Sequence, residues 1–429
     1  MSHRIRYLLI MLIFVVSAVV YIDRSNMSIA GLYLAKDYHI GKIQLGWLQS
    51  AFLLGYAFFQ IPAGWVVGKV GPHKTLTFGL IWWSVLTALT ALVPPGMAGA
   101  LWVLIAVRFI LGLGESVAYP SSNQFIAAWF PTHERGKANG WVFGGVGLGS
   151  GLAPPLVAYI IYNYGWPSAF YFSSAIGLVI CVVWYFSARD TPAEHPSVTP
   201  EELAHIKAGL PVKMEGHMPA VPWGKIFSSR DVWMVTIAYV AFGYVAFIFH
   251  TWFFPYVKDG LGLDMKKSAL LSMLPFIAMT SCCLFGGVVS DWLVKHRGQY
   301  FGRSIFGAFT LFLTCVLLLF GGNAHDPYVA IVILALAAGA LYLGQATYWA
   351  VGADFGGPYS GIVSGLLNMG GQIAGAITAS ATPWFAVKYG WSMAFYVAAG
   401  VSFVCAFAWF LVDPKRRLHV PEQVMAKAA

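Results

Sequence analysis

Charge is what this sequence has least of: 26 Lys or Arg and 17 Asp or Glu make up 10% of 429 residues, while 59% are hydrophobic. A soluble domain carries about a quarter charged residues, so an ordinary soluble enzyme or binding module is excluded. Cysteine is scarce too. The five present, Cys181, Cys282, Cys283, Cys315 and Cys405, all fall in apolar segments, are odd in number and lack metal-ligand spacing. They read as small core residues, and no disulfide is expected. The net charge of +9 is spread over short loops and tails instead of forming a basic stripe, so nucleic acid is not an expected partner. No signal peptide is evident either. The apolar run after His3, Arg4 and Arg6 continues for about 25 residues, too long for a cleavable segment, and the first helix is expected to stay.

Long apolar runs are abundant. Twelve are long enough to cross a hydrocarbon layer of about 30 Å: 7–35, 44–68, 74–95, 99–123, 137–161, 168–188, 232–257, 266–293, 303–321, 327–352, 358–387 and 391–413. They are numbered helix 1 to helix 12 below. Between the sixth and seventh lies a polar stretch with Pro192, Pro196, Pro200, Pro211, Pro219 and Pro222 around a short helical piece that starts at Thr199. The expected fold is an all-α membrane protein of twelve transmembrane helices in two pseudo-symmetric six-helix bundles. Its expected parts are the first bundle at 1–188, a cytoplasmic linker at 189–230, the second bundle at 231–413 and a cytoplasmic tail at 414–429. With the amino terminus inside, 18 Lys and Arg fall on the inner side and 6 on the outer. Short cytoplasmic loops are enriched in these residues, so both termini are expected to be cytoplasmic.

The halves resemble each other. YGWPSAFYF from Tyr164 returns as YGWSMAFYV from Tyr389, with 6 of 9 positions identical at an offset of 225. At that offset Phe130, Gly136 and Gly140 land on Phe355, Gly361 and Gly365, and GWVVGKVG from Gly64 finds GVVSDWL from Gly287 at an offset of 223. Repeats of this kind place a site near the midplane and alternate access to it.

Only Asp23, Arg24, Arg108 and Glu115 fall deep inside apolar runs, and all four belong to the first half. Each charge there costs about 2.5 to 3.5 kcal/mol on insertion scales, which makes it a functional candidate by default. Arg108 and Glu115 are seven residues apart and share a helix face. Their repeat counterparts are Ile333 and Ala340, so the second half lacks this chemistry. Two acids and two bases are expected to neutralise one another at rest. Protonating Asp23 or Glu115 would free Arg24 or Arg108 to bind a carboxylate, and linkage then makes proton and anion favour each other's binding. The alternative is a structural ion-pair network, although apolar packing would hold helices together as well.

Neutral candidates for substrate contact are Tyr56 on helix 2, His250 on helix 7, Trp349 on helix 10, and the i,i+4 pair Asn368 and Gln372 on helix 11. Tyr348 neighbours Trp349, and both cannot face one cavity. His250 reads either as a substrate or proton contact or as a neutral imidazole bonded between helices. Gly144, Gly145, Gly147, Gly149 and Gly151 on helix 5 read as close helix packing.

Five motifs in order carry a resemblance: YIDRSN at Tyr21, QIPAGW at Gln60, RFILGLGE at Arg108, WFPTHERGKANG at Trp129 and TWFFPY at Thr251. In these the chain resembles the major facilitator superfamily, and more narrowly its anion:cation symporter family. The resemblance implies proton-coupled import of an organic anion by alternating access, with a sugar acid (aldonate, aldarate or hexuronate) as the expected substrate. It gives Asp23 and Glu115 a proton-coupling role and matches Arg24, Tyr56, Trp349 and Asn368 to site-lining positions. The alternative is a carrier of another carboxylate, an aromatic acid or a dicarboxylate, with sodium as a further option for the coupling ion. Where the superfamily's loop between helices 2 and 3 usually has an Asp, this chain has Gly68 followed by Lys69, whereas the repeat keeps Asp291; Lys69 and Asp291 are the expected gate residues. Val146 stands where some sugar-acid carriers have a polar side chain. The expected partners are protons, a small carboxylate and the lipid of an inner membrane, with no other cofactor and a monomeric state. An embedded enzyme would need a nucleophile with a base, or ligands at helical spacing, and a sensor would need an output domain; the sequence offers neither.

Overall fold

Each run identified by hydropathy forms a helix, because a backbone in lipid must satisfy its polar groups internally. The structure, a computed structural model, describes residues 5–131, 135–209, 223–356 and 360–414. The linker's 210–222 and the tail after 414 lie outside the described residues. Helices 1 to 6 are Ile5–Asp37, Lys42–Val70, Pro72–Leu92, Ala100–Trp129, Ala138–Tyr164 and Trp166–Ser187. Helices 7 to 12 are Arg230–Thr251, Met265–Arg297, Tyr300–Asn323, Pro327–Gly352, Ile362–Tyr389 and Trp391–Phe410. All twelve are long and apolar enough to cross a membrane, and no strand occurs among the described residues.

The repeat seen in sequence recurs in the backbone. Gly165 and Gly390, which precede helices 6 and 12, have φ of 82° and 89°, and Gly71 and Gly298, at the turns after helices 2 and 8, have φ of 93° and 87°. Glycine adopts this left-handed region without the cost a Cβ would bring.

Two compact units form. The first comprises Met1–Leu210 with Phe247–Ile277 and Gly375–Ala394; the second comprises Pro211–Ala246, Ala278–Ala374 and Phe395–Ala429. In the first unit, helix 5 meets helix 1 closely: a Cβ on Gly145 or Gly149 would stand 2.2 Å from the carbonyl oxygen of Phe14 or Ala18. Gly144 makes looser contact, and nothing lies within 4 Å of a Cβ built on Gly151. The close packing expected from the glycine run is seen at the i,i+4 pair Gly145 and Gly149.

Toward one end of this unit helices 7 and 11 bond to helices 1 and 2. The Trp252 indole donates to the Ala379 carbonyl at 2.9 Å, Ser28 Oγ donates to the Thr251 carbonyl at 2.8 Å, and the Ser50 and Ser380 hydroxyls lie 2.7 Å apart. Lys42 and Asp259 form an ion pair of 3.1 Å at the same end. At the other end the linker docks. Its helix Pro200–Gly209 turns Glu202 toward the start of helix 1, where the carboxylate accepts the amides of Ile5 and Arg6 at 3.1 and 3.3 Å. Asp190 accepts the His73 amide at 2.8 Å in the first turn of helix 3. Acids placed at helix amino termini satisfy unpaired amides and complement the dipole.

In the second unit, Gly243 of helix 7 and Gly371 of helix 11 permit a close approach, a Cβ on Gly243 falling 2.2 Å from the Gly371 carbonyl oxygen. Tyr348 packs inside this unit against Tyr239, Phe242 and Trp409.

Candidate anion and proton site

Helix 1 carries YIDRSN at mid-length. Adjacent residues on a helix point about 100° apart, so Asp23 and Arg24 meet different neighbours. Arg24 turns toward helices 2 and 4. Its Nε donates to Glu115 Oε1 at 2.5 Å, both side chains being almost fully buried. Its guanidinium lies over the rings of Tyr56, Tyr21 and Phe52 at 4.7, 4.9 and 5.4 Å, while its second terminal nitrogen, Nη2, has no hydrogen-bond partner among the described residues.

Asp23 turns toward helices 3 and 6. Thr87 Oγ1 donates to its Oδ2 at 2.7 Å, and the Asn26 amide approaches its Oδ1 at 3.4 Å while donating more closely to Ser173 Oγ at 2.7 Å. The four charges thus do not collapse into one mutually paired cluster. Arg24 and Glu115 form the direct pair; Asp23 and Arg108 have no ion pair within 4.0 Å among the described residues, and Asp23 is held by neutral donors.

Arg108 is brought in by an unusually close crossing of helices 2 and 4. A Cβ on Gly55 would stand 2.1 Å from the Phe109 carbonyl oxygen, and one on Gly112 would stand 2.1 Å from that of Phe52. Only glycine permits that distance, and it sets the Arg108 guanidinium 4.9 Å from the Phe52 ring centre. Arg24 and Arg108 therefore share one aromatic ring, a favourable arrangement for desolvated cations. Arg108 Nε is buried without a partner among the described residues.

A cavity of about 30 Å³ opens here within the first unit, lined by Tyr21, Arg24, Ser25, Gln49, Phe52, Leu53, Arg108, Phe247, His250 and Thr251. That is room for about two waters. Besides the two arginines of its lining, the Gln49 amide nitrogen is buried without a partner among the described residues. Two cations and a free amide N–H beside one cavity suit an anion. His250 meets the rings of Tyr21, Phe247 and Phe276 at 5.5, 5.9 and 5.1 Å.

Arg24, Arg108, Glu115, Tyr56 and His250 are thus gathered in the first unit. Trp349, Asn368 and Gln372 lie in the second. There Trp349 stands edge-on to Tyr239 at 6.2 Å, its indole nitrogen and the buried Gln372 Oε1 both lack a partner among the described residues, and Asn368 is partly buried. Of the two gate candidates, Lys69 stacks its ammonium 4.1 Å over Trp65, and a Cβ on Gly68 would meet nothing within 4 Å. Asp291, in the second unit, pairs with Arg303 at 3.0 Å. Sequence reasoning missed Gln49, Phe52 and Thr87. Gln49 and Tyr56 sit seven apart on helix 2, as Arg108 and Glu115 do on helix 4, and that shared-face spacing was the signal available for Gln49. For Phe52 and Thr87 there was none.

A profile of the Major Facilitator Superfamily matches residues 13–379. A probable sulfoacetate transporter of Cupriavidus necator is 31% identical over 409 residues, covering 94% of this chain and 93% of that protein. A probable galactarate/D-glucarate transporter of Escherichia coli K12 is 29% identical over 420 residues, covering 95% of this chain and 93% of that protein. Among solved structures, a bacterial homolog of the human lysosomal transporter Spinster, inward-facing and occupied, superposes with a TM-score of 0.75 at 15% identity over 96% of this chain and 97% of that one, a likeness of fold alone. With the profile matching most of its length, the chain belongs to the Major Facilitator Superfamily, in its anion-transporter branch, and is a multi-pass membrane transporter and not an enzyme.

Proposed function

We propose that the protein is a proton-coupled symporter that imports a small organic anion by alternating access, with a sugar acid as substrate. The observation that carries this reading is Arg24: its guanidinium borders the cavity with a nitrogen unpartnered, yet it is already bonded to a titratable acid, Glu115. Anion and carboxylate compete for one cation, so a proton that removes the charge of Glu115 favours anion binding, and the anion favours the proton by the same factor. Arg108 adds a second cation on the same ring, and Asp23, which makes its hydrogen bonds to neutral donors and no ion pair within 4.0 Å among the described residues, is proposed as a second proton site. The basic bias of the inner loops supports cytoplasmic termini in an inner membrane, and Trp349, Asn368 and Gln372 are the proposed neutral contacts of the second half. Lys69 and Asp291 are proposed to act at the gate.

The relatives named for galactarate and D-glucarate support a sugar acid. The relative named for sulfoacetate, together with two guanidinium groups sharing Phe52, favours a second substrate reading, a short dianion with a sulfonate and a carboxylate. Thermal stabilisation of the purified protein by aldonates, aldarates, hexuronates and short sulfonated acids at two pH values tests both. Stabilisation by one of these anions, stronger at the lower pH, is expected; stabilisation only by neutral sugars or cations would overturn the anion reading.

A further inference from the structure

We propose that Thr87 is a positioning residue that sets the pH at which Asp23 exchanges its proton during transport, an inference that rests on the proton-coupled reading above. Helix 3 carries three other threonines, of which Thr75 has a buried hydroxyl without a partner among the described residues. Thr77 and Thr90 each donate back to the carbonyl four residues earlier, of His73 and Leu86, at 2.8 and 2.9 Å. Thr87 forgoes that bond and donates to Asp23 Oδ2 at 2.7 Å instead, from a position 1% exposed.

The other neutral donor is weaker. Asn26 reaches Asp23 only at 3.4 Å because its amide is engaged by Ser173 Oγ at 2.7 Å and also approaches the Ala169 carbonyl at 3.4 Å. The charged groups that act on Asp23 are Arg108 and Glu115 of helix 4; Arg24, its neighbour on helix 1, is committed to Glu115. Helices 3 and 6 present Thr87 and Ser173, which carry no charge. Thr87 therefore makes the shortest hydrogen bond to this carboxylate. A hydroxyl bonds a carboxylate about twice as strongly as a carboxylic acid, so it favours the proton-free form and lowers the pH at which a proton is taken up.

The test is uptake against external pH in proteoliposomes, using whichever acid the stabilisation panel identifies, for the wild type, T87V, T87S and D23N. T87V keeps the shape and removes the donor; its uptake midpoint is expected to move alkaline by about one pH unit, the equivalent of one hydrogen bond to a charged group. T87S is expected to return the midpoint to that of the wild type. A midpoint does not depend on how much protein is folded, so a lower yield of T87V leaves the readout intact. An unchanged T87V midpoint, with D23N abolishing proton-driven accumulation, would overturn the role of Thr87 and leave the symport reading standing. Proton-driven accumulation surviving in D23N would overturn the proton role of Asp23, and the proposal with it.

Discussion

Replacing Glu115 with Gln keeps the shape of the side chain and removes its charge. In the wild type, Arg24 is held by a charge-assisted bond of 2.5 Å in a site where both side chains are nearly inaccessible. Such a bond contributes about 1.5 to 3 kcal/mol and a neutral one about 0.5 to 1.5, so E115Q loosens Arg24 by roughly 1 to 2 kcal/mol. An incoming anion no longer has to displace a carboxylate. At alkaline pH, where the native acid competes, E115Q is expected to bind substrate roughly 5- to 30-fold more tightly than the wild type. The same change leaves a buried guanidinium undercompensated, which costs the empty protein up to about 3 to 5 kcal/mol. The ligand should therefore raise the melting temperature of E115Q by more than it raises that of the wild type. Calorimetry at two pH values, with uptake in proteoliposomes under an imposed proton gradient, measures all of this. Equal affinities at alkaline pH, or gradient-driven accumulation by E115Q at the wild-type level, would refute the competition between anion and carboxylate.

Other consequences follow from the packing. G112A drives a methyl to within 2.1 Å of a backbone oxygen on helix 2; overpacking of this kind costs about 1 to 3 kcal/mol, so a lower melting temperature and weaker substrate binding through a displaced Arg108 are expected. D190A removes the acceptor of the His73 amide at the start of helix 3 and should cost about 0.5 to 2 kcal/mol, seen as a lower melting temperature with uptake largely retained. The Lys42–Asp259 pair is about one-third exposed on both sides, so its energy lies in the range of about 0.2 to 1 kcal/mol. K42D and D259K should each lower the melting temperature slightly, and the double reversal should restore it in a double-mutant cycle.

Hydropathy located all twelve helices, because a bilayer demands long apolar helices whatever the tertiary detail; the first run, 7–35, became Ile5–Asp37. The same rule made Asp23, Arg24, Arg108 and Glu115 visible, since charges in such runs need a reason. Their partners were less legible. Depth along the helices suggested one cluster, but depth says nothing of rotation, and the 100° step between Asp23 and Arg24 sends one to Thr87 and the other to Glu115. Thr87 was silent in the sequence because a threonine in a membrane helix usually bonds its own backbone. For Gln49 the seven-residue spacing from Tyr56 on helix 2 was the one available signal, because an amide alone can find partners in many directions. The packing of 247–277 and 375–394 into the same compact unit as the first half was also not written in hydropathy, which is indifferent to the identity of an apolar neighbour.

In the proposed symport, anion entry and proton entry are one event. Proteoliposomes loaded with a pH-sensitive dye, given the stabilising acid outside with no gradient of sodium or pH, test it most directly. Substrate-evoked acidification of the lumen, absent in E115Q and D23N, is the result predicted here. Entry of the acid with no change in lumenal pH, or entry that requires sodium, would contradict it.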